Sequence, residues 1–118
     1  MNSSPTDKSG AASTATIRAL NDRFRQTLQG GTVLMTAGII ALDAEAQAGI
    51  IAAVRAFDAF SPDNDPWGEH DFGSLEVAGE RVFFKIAYYD LTRAMHSEDP
   101  ADPSKTERVM TIMLASEY

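Results

Sequence analysis

The residues from Asp63 to Gly73 carry the densest set of side chains capable of chemistry in this chain, and we call them the first acidic loop. The segment contains the single Trp, one of the two His and four carboxylates. It lies between a helical pattern and a strand pattern, which is where loops that carry function are commonly held.

Metal binding is one chemistry that this composition suits. Carboxylate oxygens with an imidazole suit magnesium, manganese or iron(II) better than a thiolate-bound metal, so a divalent metal is the one cofactor that the sequence suggests. The candidate ligands are Asp65, Glu69, His70, Asp71 and, from farther along the chain, His96. The spacing fails the calcium-loop pattern because Trp67 and Ser74 occupy positions that need ligands. The simpler interpretation, which we favour, is that Asp, Asn, Pro and Gly shape turns here.

General acid–base catalysis is a second chemistry. The candidate catalytic residues are Glu69, His70, Asp71 and Asp90. Adjacent residues in extended chain point to opposite faces, so a catalytic pair would need a distant partner such as Tyr88, Asp90 or His96. The simpler interpretation makes His70 a hydrogen-bonded anchor of the loop.

Acidity favours a third role, in binding. The net charge is -7, which disfavours direct nucleic-acid binding because that needs basic side chains to neutralise phosphates. Five carboxylates lie between Asp58 and Asp71 with no Lys or Arg, and five lie between Asp90 and Glu107 against Arg93 and Lys105. If both segments lie at one end of a sheet, that end could bind a protein with a basic surface, or imitate the phosphate array of DNA.

The second segment, Asp90–Lys105, is called the second acidic loop, and its Asp-Pro steps make it extended and stiff. The candidate binding residues are Asp65, Trp67, Glu69, His70, Asp71, Asp99 and Asp102. Trp67 has two interpretations of equal weight, a lid on the edge of the core or an exposed anchor for a partner.

Hydrophobic periodicity predicts two helices. The first runs from Ala15 to Gln29 and ends at Gly30-Gly31, and the second begins after Asp43 as N-cap and closes at Phe60 before a proline. The apolar stripe of the first helix comprises Ile17, Leu20, Phe24 and Leu28. The other side of that helix is predicted to carry Arg18, Asp22 and Arg25.

Four segments read as strands. They are Thr32–Thr36, Phe72–Val77, Arg81–Tyr89 and Glu107–Ala115. Ala78-Gly79 links the second and third as a hairpin, while the last segment could alternatively form a helix capped by Thr106. We expect residues 1–14 to be a disordered tail and residues 15–118 to be a single α+β domain, in which two helices pack on a mainly antiparallel sheet of about four strands.

The absence of cysteine excludes disulfides and thiolate chemistry, and no apolar run has the length of a membrane span. With no signal-peptide pattern at the start, we expect a cytoplasmic protein and no membrane contact. The oligomeric state is left open.

Several short blocks occur in an order that resembles a known bacterial family. The blocks are Asn64-Asp65-Pro66, Gly68-Glu69-His70-Asp71-Phe72-Gly73, Lys85-Ile86, Tyr88-Tyr89-Asp90, Asp99-Pro100-Ala101-Asp102-Pro103 and the run from Arg108 to Tyr118. Over roughly Ile17 to Tyr118 the chain resembles the family catalogued as domain of unknown function 3768. The resemblance implies a proteobacterial source and a plasmid or integrated-element setting, but no activity. One departure is Ala87, where the family pattern tends to have an aspartate.

Two hypotheses follow. The first is a small acidic accessory protein of a plasmid or integrated element that acts by protein–protein contact at the two acidic loops, with DNA mimicry as one form of it. The alternative is a metal-dependent or acid–base enzyme centred on Glu69, His70 and Asp71.

Overall fold

The computed structural model describes the backbone from Pro5 to Tyr118 and the side chains from Ser13 onward. The described chain is an α+β domain, as predicted. Its elements are α1 (Pro5–Thr27), β1 (Thr32–Met35), α2 (Ala37–Ile40), α3 (Ala44–Ala56), β2 (Phe72–Val77), β3 (Glu80–Tyr89), β4 (Glu107–Leu114) and a 3₁₀ helix (Ala115–Glu117).

Helix α1 begins earlier in the chain than Ala15 and ends two residues before the predicted Gln29, at Thr27. The division into a disordered tail (residues 1–14) and one domain (residues 15–118) stays a prediction, because residues 1–4 and the side chains of residues 5–12 lie outside what the structure describes. Helix α3 begins after Asp43, whose carboxylate accepts a hydrogen bond from the Ala46 N–H at 2.7 Å.

The four strands form one sheet in the order β1-β4-β3-β2. Only the β1–β4 pair is parallel, so the sheet is mainly antiparallel, and the last predicted segment is a strand rather than a helix. Ala78 and Gly79 both have positive φ, of 55° and 80°, which is the geometry of the tight hairpin turn predicted there.

The core lies on one face of the sheet. Side chains of β3 and β4 meet α1 and α3 there, and the buried set includes Ile17, Phe24, Ile50, Val54, Val82, Phe84, Ile86, Tyr88, Met110 and Ile112. Gly73 lets β2 lie against this core, because a Cβ at that position would overlap the ring of Phe84.

The sheet register brings both acidic loops to the same end of the domain. The first acidic loop leads into the start of β2, where Phe72 is paired with Lys85 near the end of β3. The second acidic loop connects the end of β3 to the start of β4, where Tyr89 is paired with Glu107. Within the described part of the chain, no helix combines the length and apolarity that crossing a membrane requires.

Candidate functional site

Side chains of α1 hold the first acidic loop against the domain. Arg18 donates from Nη1 to the Gly68 carbonyl at 3.0 Å, and Asn21 donates from Nδ2 to the Glu69 carbonyl at 3.0 Å. Within the loop, the buried Asp65 carboxylate accepts from the His70 N–H at 3.2 Å. His70 itself has a positive φ of 57°, a conformation that costs energy outside glycine and asparagine and that these contacts maintain.

The imidazole of His70 lies between two carboxylates. Its Nδ1 is 2.7 Å from Oδ1 of Asp22, and its Nε2 is 3.6 Å from Oδ2 of Asp65. The ring stacks on Phe60 with centroids 3.9 Å apart and an interplanar angle of 4°. Asp22 also pairs with Arg25 at 3.0 Å. These contacts hold the ring in place and give His70 the geometry of an anchor, although 24% of its side chain stays exposed.

A chain of buried hydrogen bonds runs from β4 through α1 and β3 to the first acidic loop. Arg108 donates from Nε to Oδ1 of Asn21 at 2.9 Å, and Asn21 donates from Nδ2 to the Tyr88 hydroxyl at 2.8 Å. The Tyr88 hydroxyl in turn donates to Oε1 of Glu69 at 2.8 Å. Burial raises the pKa of the Tyr88 hydroxyl and lowers the pKa of the Arg108 guanidinium, because both charged forms lose water there. Glu69 is therefore engaged in holding the loop.

The side chain of Asp71 does not share the partners of Glu69 and His70, and it lines a cavity of about 330 Å³. Lys85, Tyr89 and His96 also line this cavity, so residues of the first and second acidic loops meet there. Burial raises the pKa of the Asp71 carboxyl, and the nearby carboxylates of Glu69 and Asp65 raise it further.

The carboxylates of the second acidic loop form its turns. Oδ1 of Asp90 accepts from the Thr92 hydroxyl at 2.7 Å, and Oδ1 of Asp102 accepts from the Ser104 hydroxyl at 2.7 Å. These bonds hold the pKa of both carboxyls below the ordinary value. Asp99 accepts from the Ala101 N–H at 3.2 Å. All three side chains therefore shape the loop, as Asp does in such turns.

The candidate catalytic side chains do not converge. Glu69 contacts Tyr88, His70 contacts Asp22, Asp71 lines the cavity with His96, and Asp90 bonds within its own turn. Among the described residues, no group of three or more His, Cys, Asp or Glu is placed to hold a metal ion, so the candidate ligands Asp65, Glu69, His70, Asp71 and His96 do not form such a group.

Trp67 is exposed over 80% of its surface. The structure therefore agrees with the interpretation of Trp67 as an exposed side chain and not with its interpretation as a lid on the edge of the core. The indole borders a shallow groove of about 340 Å³ that Phe60, Pro62 and His70 also line. A large apolar side chain is thus presented to solvent from a loop whose backbone is fixed.

The family comparison bears on the same region. A profile of the family described as "Protein of unknown function (DUF3768)" matches residues 35–117. The chain belongs to this family. Neither a curated protein nor a solved structure matches the chain. The part that matches the DUF3768 profile contains both acidic loops and strands β2 to β4, whereas the α1 residues that hold the first loop lie before it.

Sequence reasoning missed the polar residues of α1 that position the loop in this DUF3768 member. Arg25 was predicted on the open side of the helix, but it is only 2% exposed and lies over the rings of Phe60 and Phe84. The prediction was wrong because the guanidinium of Arg25 packs on these rings and pairs with Asp22 instead of reaching solvent. Asn21 is fully buried, and its place between Ile17 and Phe24 on the apolar stripe was the signal that could have identified it.

Proposed function

We propose that the protein acts by binding a protein partner with a basic contact surface, at the end of the sheet where the two acidic loops lie. The observation that carries this proposal is Trp67, 80% exposed on a loop that Arg18, Asn21 and Asp65 hold in place. Exposed aromatic residues on rigid backbone make efficient binding anchors, because little conformational entropy is lost when a partner covers them.

Charge supports the basic character of the partner. The two cations of the second acidic loop already lie near carboxylates, Arg93 at 3.2 Å from Glu107 and Lys105 at 3.7 Å from Glu98. Neither loop contains another Lys or Arg, whereas both contain further carboxylates, so the two loops attract positive charge. Such a field accelerates encounter with a basic partner and weakens as salt rises.

The proposed setting is the cytoplasm of a bacterium, where the protein would serve as an accessory factor of a plasmid or integrated element. The resemblance described above supports this setting. In the form of the proposal that involves DNA mimicry, the partner is a DNA-binding protein, and the acidic loops occupy the surface that otherwise contacts phosphates.

The alternative function, an acid–base enzyme, has one favourable observation. Asp71, whose pKa is raised by burial, shares a cavity with His96 and Lys85. The original centre of Glu69, His70 and Asp71 is less well supported, since the three side chains point to different partners. We therefore place the alternative behind the binding function.

A binding experiment tests the proposed function directly. A partner captured from the host cell and then purified is titrated into the protein, with the fluorescence of Trp67 as the signal, since it is the single Trp. We expect the emission to shift to shorter wavelength on binding and the affinity to fall as salt rises. Trp67→Ala should weaken capture by at least about tenfold, the usual scale for an aromatic anchor.

The charge component is tested with the double variant Asp99→Asn/Asp102→Asn. Asparagine keeps the Oδ1 acceptor of each turn while removing the charge. The matched control is Glu76→Gln/Glu80→Gln, which removes the same charge at the opposite end of the sheet. If Trp67→Ala and the Asp99→Asn/Asp102→Asn variant both retained the partner as well as the control variant does, the proposal would be wrong.

A further inference from the structure

Arg108 is a buried cation without a carboxylate partner. The residue is 2% exposed, and the ion pairs among the described residues do not include it. Its hydrogen-bond acceptors are uncharged: Oδ1 of Asn21 and the carbonyl of Pro100. The nearby Arg25, equally buried, is paired with Asp22. The ring of Tyr88 lies 5.3 Å from Cζ of Arg108, and the Glu69 carboxylate acts on the guanidinium from beyond ion-pair distance. The buried charge is therefore compensated in part but has no direct ion pair in the part of the chain that the structure describes.

One nitrogen of this guanidinium has no acceptor within the described chain. Nε and Nη2 of Arg108 donate to Asn21 and Pro100, which leaves Nη1 free. Nη1 also keeps contact with solvent, since the side-chain nitrogen that is buried without a partner in the described residues is Nε of Arg25.

Arg108 also lines a cavity of about 330 Å³ between α1 and the second acidic loop, which we call the Arg108 cavity. Arg23, Gln29, Gly30 and Thr106 also line it, and no carboxylate does. The Arg23 side chain is exposed and has no ion pair within the described part of the chain. In a protein of net charge -7, two guanidinium groups at one cavity without an acid make a local positive site.

We propose that the Arg108 cavity binds the phosphate group of a small ligand. The Nε–Nη2 edge of Arg108 is occupied, so the side-on pairing that best suits a flat carboxylate is closed. A tetrahedral phosphate instead offers separate oxygens to Nη1 of Arg108, to Arg23 and to the Gln29 amide. The volume is at the lower end of the range for small-molecule sites, about 300–1,000 Å³.

The end of α1 opposes an anion here, but by less than the arginines favour it. The C-terminus of a helix carries roughly half a negative charge, and its effect falls off within the last turn. Each guanidinium group contributes a whole positive charge. The charge of the two arginines that line the cavity therefore outweighs that of the helix end.

Inorganic phosphate is the probe for the test, titrated at constant ionic strength while the melting temperature and the amide spectrum are followed. We expect a saturable rise in melting temperature, with amide shifts at Gly30 and at the Gln29 side chain. Sulfate, which is also tetrahedral, should act like phosphate, whereas acetate should act more weakly. A larger effect of acetate, or no saturable effect of phosphate, overturns the proposal.

Variants of two exposed arginines, one at the cavity and one far from it, test whether phosphate binds in the Arg108 cavity. Arg23→Gln should weaken phosphate binding about tenfold, as expected for loss of one charged contact. Arg81→Gln removes the same charge on the β2–β3 hairpin and should leave binding unchanged. Equal weakening by both variants would mean that phosphate responds only to overall charge, and the proposal would fail. The test does not need an Arg108 variant, which could fail to fold.

Discussion

The imidazole Nδ1 of His70 and the carboxylate of Asp22 lie 2.7 Å apart, although 48 positions separate them in the chain. This contact joins α1, which lies before the segment matched by the family profile, to the first acidic loop, which lies within it. The loop that presents Trp67 therefore depends on a helix that lies far from it in sequence.

His70→Ala should lower the free energy of unfolding by about 2–3 kcal/mol. The variant loses a hydrogen bond to a charged group, worth about 1.5–3 kcal/mol, and the stacking on Phe60. Chemical denaturation measures the change. His96→Ala is the control, because His96 is exposed and should change stability by less than about 0.5 kcal/mol. A double-mutant cycle of His70→Ala and Asp22→Ala should give a coupling energy of at least about 0.5 kcal/mol. If the losses of stability in the two single variants simply added up in the double variant, the contact would be contradicted.

Asn21→Ala should destabilise the protein by about 3 kcal/mol or more. The substitution removes the acceptor of the buried Arg108 Nε–H and the donor to the Tyr88 hydroxyl oxygen and the Glu69 carbonyl. An unsatisfied buried group costs about 1–3 kcal/mol. Tyr88→Phe removes only the hydroxyl and should cost less. Thermal and denaturant unfolding compare the two. A smaller loss for Asn21→Ala than for Tyr88→Phe would show that the hydrogen-bond chain does not hold the loop.

Gly73→Ala should be strongly destabilising, by at least about 2 kcal/mol, because the added Cβ overlaps the ring of Phe84 in a close-packed core. Gly49→Ala in α3 is the matched control. Its Cβ would meet Val77 at 3.9 Å, an ordinary contact, and alanine gains about 0.5–1 kcal/mol over glycine within a helix. Circular dichroism during heating distinguishes the two. A Gly73 variant as stable as the wild type would contradict the packing of β2 on β3.

The pH dependence of stability should report the burial of Asp71. The pKa of its carboxyl is raised in the folded protein above 3.8, so the folded state holds the proton more tightly than the unfolded state. This contribution is fully present below pH 3.8 and is lost as the pH rises through the raised pKa. Asp71→Asn should therefore gain stability relative to wild type as the pH rises through that window.

Asp102→Asn provides the control of opposite sign. The pKa of Asp102 is lowered by the Ser104 hydroxyl, so its contribution is present above pH 3.8 and is lost as the pH falls through the lowered pKa. Relative to wild type, this variant should lose stability as the pH rises. Unfolding at a series of pH values gives both trends, and parallel trends would contradict the assignment of Asp71 as buried.

Local patterns predicted most of the fold. The alternation along β3, the hairpin turn at Ala78-Gly79 and the Asp43 cap are all properties of neighbouring residues, and the structure has each of them. The parallel pairing of β1 with β4 was not predicted, because it joins Thr32 to Val109 and leaves no local signature. The turn-forming role that sequence composition suggested for the Asp residues agrees with the bonds of Asp90 and Asp102.

The candidate site was harder to predict for a physical reason. The partners of His70 and Glu69 are Asp22 and Tyr88, and only tertiary packing brings them together. The spacing of residues within the loop says nothing of these two partners, which lie on α1 and β3. Polar residues on an apolar helix stripe, such as Asn21, are the sequence signal that points to such partners.

The hydrogen-bond chain from Arg108 to Glu69 has a thermodynamic consequence. The chain connects the two proposed binding sites through four side chains, and we expect binding at one site to be linked to binding at the other. Linkage is reciprocal: if a ligand in the Arg108 cavity changes the affinity of the partner by some factor, the partner changes the affinity of that ligand by the same factor. The affinity of each molecule is measured with and without the other. In the wild type, the ratio of the two affinities should be the same for both molecules and should differ from one. In Tyr88→Phe, which interrupts the chain before Glu69, both ratios should approach one.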